Sequence, residues 1–280
     1  MAVQREVTLA SVQLDVVLED VAATTRKVLD WVDRAAEAGA DLVLFPELIL
    51  SAGYSHGDKF HDLAEPIPGP TTRRIGEKAR ERHMYVVAGL AERGATGTVY
   101  NSAVIIGRDG ELVGSYRKTH IFTPTESFFA LGTTLPVFDL DFARVGIPIC
   151  YDLEFPEPAR VLCLKGADIL LTMTAHWEGT GTVGSSENFI RTIYAARALE
   201  NRVPVVLCNR VGFDPGLNDR FVGLSRIVDS DGMTVAEMPD DREGMVTATL
   251  DLAEERRKRL RYNYFRDRKP LLYASLTELD

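Results

Sequence analysis

Cys150, Glu47 and Lys118 are the residues whose chemical types could together perform covalent chemistry on a carbon centre. A cysteine reacts as the thiolate, and its ordinary pKa of ~8.5 leaves little thiolate at neutral pH unless a base or a cation lies beside it. Cys150 ends an apolar run in GIPICYD, and the backbone N–H of Tyr151 is free to point at a developing oxyanion. Glu47 ends another apolar run, where burial would raise its pKa towards the range of a general base.

Each of these residues also has an ordinary structural explanation. Free cysteines are among the most buried residue types, so Cys150 could belong to the core. A buried carboxylate such as Glu47 is often one half of a structural ion pair. Most lysines are solvated surface charges, and Lys118 taken alone fits that description. The individual residues therefore do not decide between a chemical and a structural role.

The hydrophobic periodicity predicts that each of the three residues ends a strand. A short apolar strand ends at Glu47, a hairpin that turns at 109–110 ends at Lys118, and a third strand ends at Cys150. The predicted strands are 6–14, 41–47, 84–90, 99–107, 111–118, 143–150, 167–175, 203–212, 221–229 and 244–250. The predicted helices are 21–38, 71–83, 156–165 and 188–201.

This interleaving of strands and helices predicts an α/β fold. No Pro-, Gly- or Ser-rich linker and no fixed-period repeat divides the chain, so residues 1–280 are expected to form one domain whose sheets are covered by helices. The alternation of apolar and polar residues over 6–14 is typical of a half-buried strand. Cys163 and Cys208 fall in a helix and an apolar strand and are expected to be small core residues.

The composition limits the classes of partner. A net charge of −9 and a pI near 5.2 argue against nonspecific binding to nucleic acid or anionic membranes. Arg5 and Glu6 stand where a signal peptide needs apolar residues, and no run approaches the ~18 residues of a membrane span, which predicts a cytoplasmic protein. The cysteines form no CxxC pair, and the spacing of His56, His61 and Asp62 matches no zinc template, so neither a disulfide framework nor a metal site is expected.

Three motifs occur in the order and separation typical of one enzyme superfamily. LFPEL contains Glu47, YRKTHIF contains Lys118, and GIPICYDLEFPEPAR contains Cys150. In these motifs the chain resembles the nitrilase superfamily of carbon–nitrogen hydrolases, and the resemblance extends from about Val7 to about Lys269. It implies a four-layer α-β-β-α sandwich that carries a Glu-Lys-Cys triad.

The resemblance also implies a role for each residue of the site. Glu47 would be the general base, Lys118 the partner of the oxyanion and Cys150 the nucleophile. Glu126, in TESFFALG, would orient Lys118 and help with proton transfers; its alternative is an ordinary loop carboxylate. The N–H of Tyr151 would share the oxyanion with Lys118. This mechanism requires no metal and no organic cofactor.

The implied reaction is hydrolysis of a non-peptide carbon–nitrogen bond, in a small-molecule amide or N-carbamoyl amide, through a thioester that releases ammonia or an amine. A nitrile is the alternative substrate. Members that cleave N-carbamoyl amino acids can grip the substrate carboxylate with arginines after the nucleophile, but this chain has Leu153 and Glu154 there, which fits a neutral or cationic substrate better. His176 and Trp177 emerge at the same sheet edge as Cys150, where they either line the pocket or pack in the core.

Two functions of other classes fit the sequence less well. A noncatalytic binding subunit would keep the fold and lose the chemistry, whereas this chain retains all three triad residues and Glu126. An acyltransferase would normally need a membrane segment or a partner protein, and the sequence signals neither.

The C-terminal tail, residues 262–280, suggests self-association. Its segment YNYFRDRKPLLY is too apolar for a free terminus and is similar to tails that cross a dimer interface in the superfamily. We expect a homodimer or a higher homo-oligomer in which Tyr264, Phe265 and Leu271 are buried against the partner.

Overall fold

The computed structural model describes residues 6–55, 57–179, 186–239 and 241–278, so His56 lies outside the described residues. The strands are β1 (Glu6–Gln13), β2 (Leu42–Leu44), β3 (Tyr85–Arg93), β4 (Val99–Ile106), β5 (Leu112–Arg117), β6 (Val137–Asp139), β7 (Arg144–Gly146), β8 (Ile169–Thr174), β9 (Val205–Asn209), β10 (Val211–Asp214), β11 (Asp219–Val222), β12 (Arg226–Val228), β13 (Thr234–Glu237) and β14 (Gly244–Asp251). The helices are α1 (Val21–Glu37), α2 (Phe60–Leu63), α3 (Pro70–Arg82), α4 (Thr123–Glu126), α5 (Pro156–Leu164), α6 (Ser186–Asn201), α7 (Leu252–Arg261) and α8 (Tyr264–Asp267). Short 3₁₀ turns cover Ile49–Ser51, Gly57–Lys59, Cys150–Leu153 and Pro270–Thr277.

Within the described ranges, two six-stranded sheets form the centre of the fold. The first has the order β14-β1-β2-β3-β4-β5, with β1, β2 and β3 parallel to one another. The second has the order β13-β12-β9-β8-β7-β6, with β7, β8 and β9 parallel. Glu47 follows β2, and Cys150 and His176 follow β7 and β8. The parallel centres of both sheets therefore deliver polar residues from their carboxyl ends, where open α/β sheets place their ligands.

The two sheets face each other, and helices cover their outer faces. Apolar side chains such as Leu9 and Val87 of the first sheet meet Val145 and Leu171 of the second in a core between the sheets. A second core joins α1 and α3 to the outer face of the first sheet, and a third joins α5 and α6 to the second sheet. This order of layers confirms the predicted α-β-β-α sandwich.

β1 is more deeply buried than the predicted half-buried strand. Leu9 faces the core between the sheets and Ala10 faces the core beneath the helices, so both faces of β1 are covered. A polar side chain that suggested a solvent face is hydrogen-bonded instead, because the Ser11 hydroxyl donates to the carbonyl oxygen of Leu207 at 2.8 Å. The alternation of apolar and polar residues in this segment therefore reflects hydrogen-bonded polar side chains within a covered sheet, and not a face exposed to solvent.

Four predicted strands are wrong in their extent. The strand predicted over 41–47 ends as β2 at Leu44, and the strand predicted over 221–229 is interrupted between β11 and β12. The strand predicted over 143–150 ends as β7 at Gly146, and only an isolated bridge from Ile149 to β8 continues the ladder. Pro148 explains the interruption, because it has no N–H to donate to a neighbouring strand. The strand predicted over 203–212 is divided into β9 and β10, and β10 leaves the sheet to pair with β11.

The tail is partly anchored and partly exposed. Phe265 packs against the core that joins α5 and α6 to the second sheet, so this residue contacts its own chain. Leu271 and Leu272 are 94% and 77% exposed, and Leu276 is also exposed. Neighbouring exposed leucines are unusual on a monomer surface and typical of an interface. Dimerisation through the tail stays a prediction, with Leu271 a better candidate for the contact than Phe265.

We expect the intact chain to scatter light as at least a dimer at micromolar concentration. Replacing Leu271 and Leu272 together by serine should lower the mass towards the 31.0 kDa of one chain, since it removes the apolar surface of the contact. Met233→Ser, at a side chain that is 64% exposed in the turn before β13, is the matched control and should leave the mass unchanged. A wild-type mass of 31.0 kDa would contradict this prediction.

Candidate active site

Glu47 is fixed by a tight turn that follows β2. The next residue, Leu48, has a φ of 54°, in the left-handed region, and begins the turn that leads into the 3₁₀ segment. The turn lies directly against Gly89 of β3, where a Cβ atom would be 2.6 Å from the nitrogen of Leu48 and 3.0 Å from the Cα of Glu47. Only glycine permits this approach, which helps to place the Glu47 carboxylate inside the molecule, where it is 1% exposed.

Lys118, directly after β5, lies between two carboxylates. Its Nζ donates to Oε1 of Glu47 at 2.7 Å and to Oε1 and Oε2 of Glu126 at 2.8 and 2.7 Å. Asn101 of β4 donates from Nδ2 to Oε1 of Glu47 at 2.7 Å and to Oε1 of Glu126 at 2.8 Å. All four side chains are buried. The fold therefore brings Glu47, which lies 71 residues from Lys118 in sequence, into one hydrogen-bonded network with Lys118 and Glu126.

Two oxygens of this network, Oε2 of Glu47 and Oδ1 of Asn101, have no partner within the described residues. Oε2 of Glu47 is buried and accepts no hydrogen bond within the described residues. A buried carboxylate oxygen without a donor is costly unless it exchanges a proton or meets a ligand. Glu47 thus has one oxygen held by Lys118 and Asn101 and another available for proton transfer.

Cys150 opens the 3₁₀ turn that follows β7, and its φ of 46° lies in the left-handed region. Such a conformation is unfavourable for a residue with a Cβ and persists only where the surroundings impose it. The Asp152 carboxylate is part of those surroundings, because it accepts a hydrogen bond from the N–H of Ile149 at 2.9 Å. Tyr151 is the second residue of the turn, where N–H groups have no partner within the turn itself. This position suits its predicted role towards an oxyanion.

Asp152 also ties the turn of Cys150 to the end of β5. It accepts hydrogen bonds from the hydroxyls of Tyr116 at 2.7 Å and Thr119 at 2.9 Å and from the N–H of His120 at 2.9 Å. Burial opposes its charge, but the hydrogen bonds from His120 and Tyr116 outweigh burial and lower the pKa of Asp152. This permanent anion therefore holds Cys150 and Lys118 in a fixed relation.

The charges of the network shift the titration of each member. Burial raises the pKa of Glu47 to about 7, with Lys118 opposing the rise and Glu126 adding to it. Burial opposes the charge of Lys118, but the attraction of Glu126 and Glu47 outweighs it and raises the lysine pKa. Burial, aided by the negative charge of Glu47, raises the pKa of the Cys150 thiol well above its ordinary value. The resting site therefore holds a thiol, an ammonium and a base that titrates near neutrality.

A cavity of about 30 Å³ opens beside the thiol. Its walls contain the three residues predicted for the substrate pocket together with an aromatic surround: Tyr54, Phe122, Cys150, Tyr151, Glu154, Ala175, His176 and Trp177. Nε2 of His176 lies 3.1 Å from the hydroxyl of Tyr194 and 4.0 Å from Sγ of Cys150. Burial, together with Lys118, lowers the pKa of His176 to about 4, so the imidazole is neutral at physiological pH.

Sequence reasoning missed two residues that organise the site. Asn101 stands in the middle of the apolar run YNSAVIIG, and an amide buried within a strand was a usable signal of a hydrogen-bonding role. Asp152 follows Cys150 by two residues, and a carboxylate so close to an apolar strand end was a weaker signal. The remaining wall residues Tyr54 and Phe122 come from loops, and nothing in their spacing marks them.

The described residues contain neither a metal-binding group nor a membrane-spanning helix. Among the described residues, no group of three or more His, Cys, Asp or Glu side chains could hold a metal ion. No helix in the described part of the chain is long and apolar enough to cross a membrane. Cys163 and Cys208 are buried core residues, as predicted.

Comparison with known families identifies the class of protein. The model of the carbon–nitrogen hydrolase family matches residues 8–259. The chain therefore belongs to the carbon–nitrogen hydrolases, within the nitrilase superfamily. It is an enzyme that acts on carbon–nitrogen bonds other than peptide bonds.

Individual relatives extend this comparison over the full chain. A probable nitrilase of Schizosaccharomyces pombe is 35% identical over 274 residues, which cover 96% of this chain and 97% of that protein. The N-carbamoylputrescine amidase of Solanum lycopersicum is 33% identical over 291 residues, with 99% and 96% coverage. The crystal structure of a carbon–nitrogen hydrolase from Helicobacter pylori superposes with a TM-score of 0.90 at 27% identity, with 98% and 99% coverage.

We expect kcat/KM for an uncharged primary amide to fall about tenfold per pH unit below about pH 7. The pKa of Glu47 is raised to about 7, and only its carboxylate can accept the thiol proton, so activity is lost as the pH falls through that value. Glu47→Gln should slow acylation by about a hundredfold or more, measured by mass spectrometry of the protein at stopped times.

Glu154→Gln is the control for this pH dependence, because burial also raises the pKa of Glu154 to about 7. With an uncharged substrate the Glu154→Gln enzyme should keep the acidic limb. If that variant lost the limb, Glu154 would be its source, and normal acylation by Glu47→Gln would remove Glu47 from the role of base.

Gly89→Ala tests whether the close approach of β3 places Glu47. The new Cβ would meet the backbone of Glu47 and Leu48, so we expect a loss of about 1–3 kcal/mol in stability and a larger relative loss of kcat. Gly76→Ala is the matched control, because its Cβ would lie 2.4 Å from the carbonyl oxygen of Gly110, away from the site. Thermal unfolding and steady-state kinetics distinguish the two. Equal loss of kcat per folded molecule in both variants would contradict the local effect.

Proposed function

We propose that this carbon–nitrogen hydrolase hydrolyses a small primary amide or N-carbamoyl amide through a thioester on Cys150. The observation that carries the proposal is the buried Lys118 ammonium, held between Glu47 and Glu126 beside a buried thiol. A structural ion pair would need one carboxylate for one lysine. With two carboxylates beside one lysine, one carboxylate is available as a base. This supports a chemical role for Lys118, Glu47 and Glu126.

In the first half of the reaction, Oε2 of Glu47 accepts the thiol proton while Sγ of Cys150 bonds to the carbonyl carbon of the amide. The thiol does not ionise beforehand, because its pKa is raised, so proton transfer accompanies the attack. Glu47 then gives the proton to the amide nitrogen, the carbon–nitrogen bond breaks, and ammonia leaves. Cys150 remains as a thioester.

Lys118 has a specific reason to serve the oxyanion during this step. Its three N–H donors are all used at rest by Glu47 and Glu126. When Glu47 becomes protonated, its oxygen attracts the ammonium less, and a donor is released as negative charge develops on the substrate oxygen. The Tyr151 N–H supplies a second donor in this proposal.

In the second half, water replaces the amine. Glu47 accepts a proton from the water, whose oxygen attacks the thioester carbon and forms a second oxyanion. Collapse of this intermediate breaks the carbon–sulfur bond, and the sulfur recovers its proton from Glu47. The acid product leaves, and the site returns to its resting state.

The size of the cavity supports a small reacting group. The cavity beside the thiol is only about 30 Å³, which favours a small reacting group at Cys150. Similarity to an N-carbamoylputrescine amidase supports a carbamoyl amide as one substrate class. Both substrates present a planar carbonyl to the same thiol.

A panel of primary amides, N-carbamoyl amines and nitriles, with ammonia release as the readout, tests this function. We expect turnover of members of the first two sets and a mass increase on Cys150 that matches the acyl group. Cys150→Ser should reduce turnover by about a thousandfold or more and remain folded, whereas Cys163→Ser, at a buried cysteine remote from the cavity, should retain it. An adduct on Cys163, or turnover of nitriles alone, would contradict the proposal.

A further inference from the structure

Glu154 is a carboxylate in the cavity wall that the proposed mechanism does not use. It follows the 3₁₀ turn of Cys150 and lines the same cavity. Within the described residues its carboxylate has neither a hydrogen bond nor an ion pair. Burial raises its pKa to about 7, with Lys118 opposing the rise. The nearby Arg197 guanidinium donates to the backbone carbonyl oxygen of Glu154 at 2.8 Å, and no hydrogen bond or ion pair joins it to the Glu154 carboxylate.

The exposure of the wall residues gives the cavity a direction. Cys150, Ala175 and His176 are buried, and they form its inner end. Tyr151 and Glu154 are only half-buried, and with the half-buried Phe122 they form its outer end. A substrate whose amide reaches Cys150 must therefore extend its remaining atoms outwards past the carboxylate of Glu154.

The charges around the cavity favour one sign of substrate. The wall contains no arginine or lysine in the described part of the chain, and His176 is neutral. Lys118 lies close by, but Glu47 and Glu126 already satisfy its charge. An anionic group at the outer end would meet Glu154 without a compensating cation, which disfavours substrates that carry a carboxylate.

We propose that the enzyme selects amides that carry a protonated amine, with Glu154 as the counter-ion of that amine. This inference rests on the proposed function and names its substrate class. A cation at the outer end would supply the partner that the half-buried carboxylate lacks. It would also relieve the cost of keeping Glu154 ionised away from bulk water.

The aromatic residues of the wall suit the part of the substrate between amide and amine. The ring of Phe122 lies 5.4 Å from that of Tyr151 and 5.7 Å from that of Trp177, in edge-to-face contacts. These rings provide an apolar surface for methylene groups and π-faces that attract a cation. The 3₁₀ rise puts Glu154 roughly 8 Å along the turn from Cys150, so the amine should lie several bonds from the carbonyl.

Three matched sets of primary amides test this inference. The three sets contain the same series of chain lengths. Their members end in an ammonium group in the first set, a methyl group in the second and a carboxylate group in the third. We expect wild-type kcat/KM to be about tenfold or more higher for the ammonium set than for the methyl set, with an optimum at one chain length and the lowest values for the carboxylate set. Glu154→Gln should lower the ratio of kcat/KM between the ammonium and methyl sets to about one, chiefly by raising KM for the ammonium set.

Two further variants separate a local ion pair from other effects. Glu157→Gln removes an exposed carboxylate that does not line the cavity, so it should keep the preference. Glu154→Asp keeps the negative charge and should retain part of the preference for the ammonium set. Such a result requires that the charge of residue 154 is what attracts the amine. Equal rates for ammonium and methyl sets in the wild type, or a preference that survives Glu154→Gln, would overturn the inference. Failure to turn over any primary amide or N-carbamoyl amine of the first panel would instead overturn the proposed function on which it rests.

Discussion

The contact between one buried ammonium and two buried carboxylates is the constraint on which the rest of the site depends. Lys118, Glu47 and Glu126 are each almost inaccessible to solvent, and any one of them alone would be expensive to bury. Together they form a group with one negative charge in excess, further held by the amide of Asn101. Burial is the main reason that the pKa of Glu47 is raised to about 7, with Lys118 opposing the rise and the charge of Glu126 adding to it, and this pKa suits the proposed role of base. A simple ion pair would have left no such base.

The sandwich exists, in functional terms, to hold this group against the thiol. Glu47, Asn101 and Lys118 come from the first sheet, whereas Cys150 comes from the second, so the chemistry forms only where the two sheets meet. The apolar core between the sheets fixes their separation, and Asp152 fastens the turn of Cys150 to the end of β5. Substitutions in that core should therefore disturb catalysis before they unfold the protein, because small displacements of reacting groups are costly in rate.

The sequence allowed prediction of the layers and of the strands that Glu47, Lys118 and Cys150 follow, because both depend on periodic burial and on motifs that are local in the chain. It did not allow prediction of features that depend on contacts between distant segments. The left-handed φ of Cys150 and Leu48 is one such feature, since neither residue is a glycine and only the surrounding packing imposes it. Asn101 and the aromatic wall are others, because their roles arise when loops and strands from both sheets converge. The predicted end of β7 was wrong for a simpler reason. Pro148 interrupts the ladder of backbone hydrogen bonds although the apolar run continues beyond it.

The same charge arrangement connects the chemistry with the choice of substrate. In the proposed mechanism the proton moves from sulfur to Glu47 while negative charge appears on the substrate oxygen, so charge is displaced within the site and its total does not change. Because the net negative charge of the site stays constant through the reaction, a single cation that lies outside the reacting atoms can compensate this charge at every step. No described residue of the wall supplies that cation beside Glu154. If the amine of the substrate supplies this cation, the enzyme recognises its substrate by the charge that Glu154 needs beside it. The residue that recognises the substrate is then separate from the residues that cleave it.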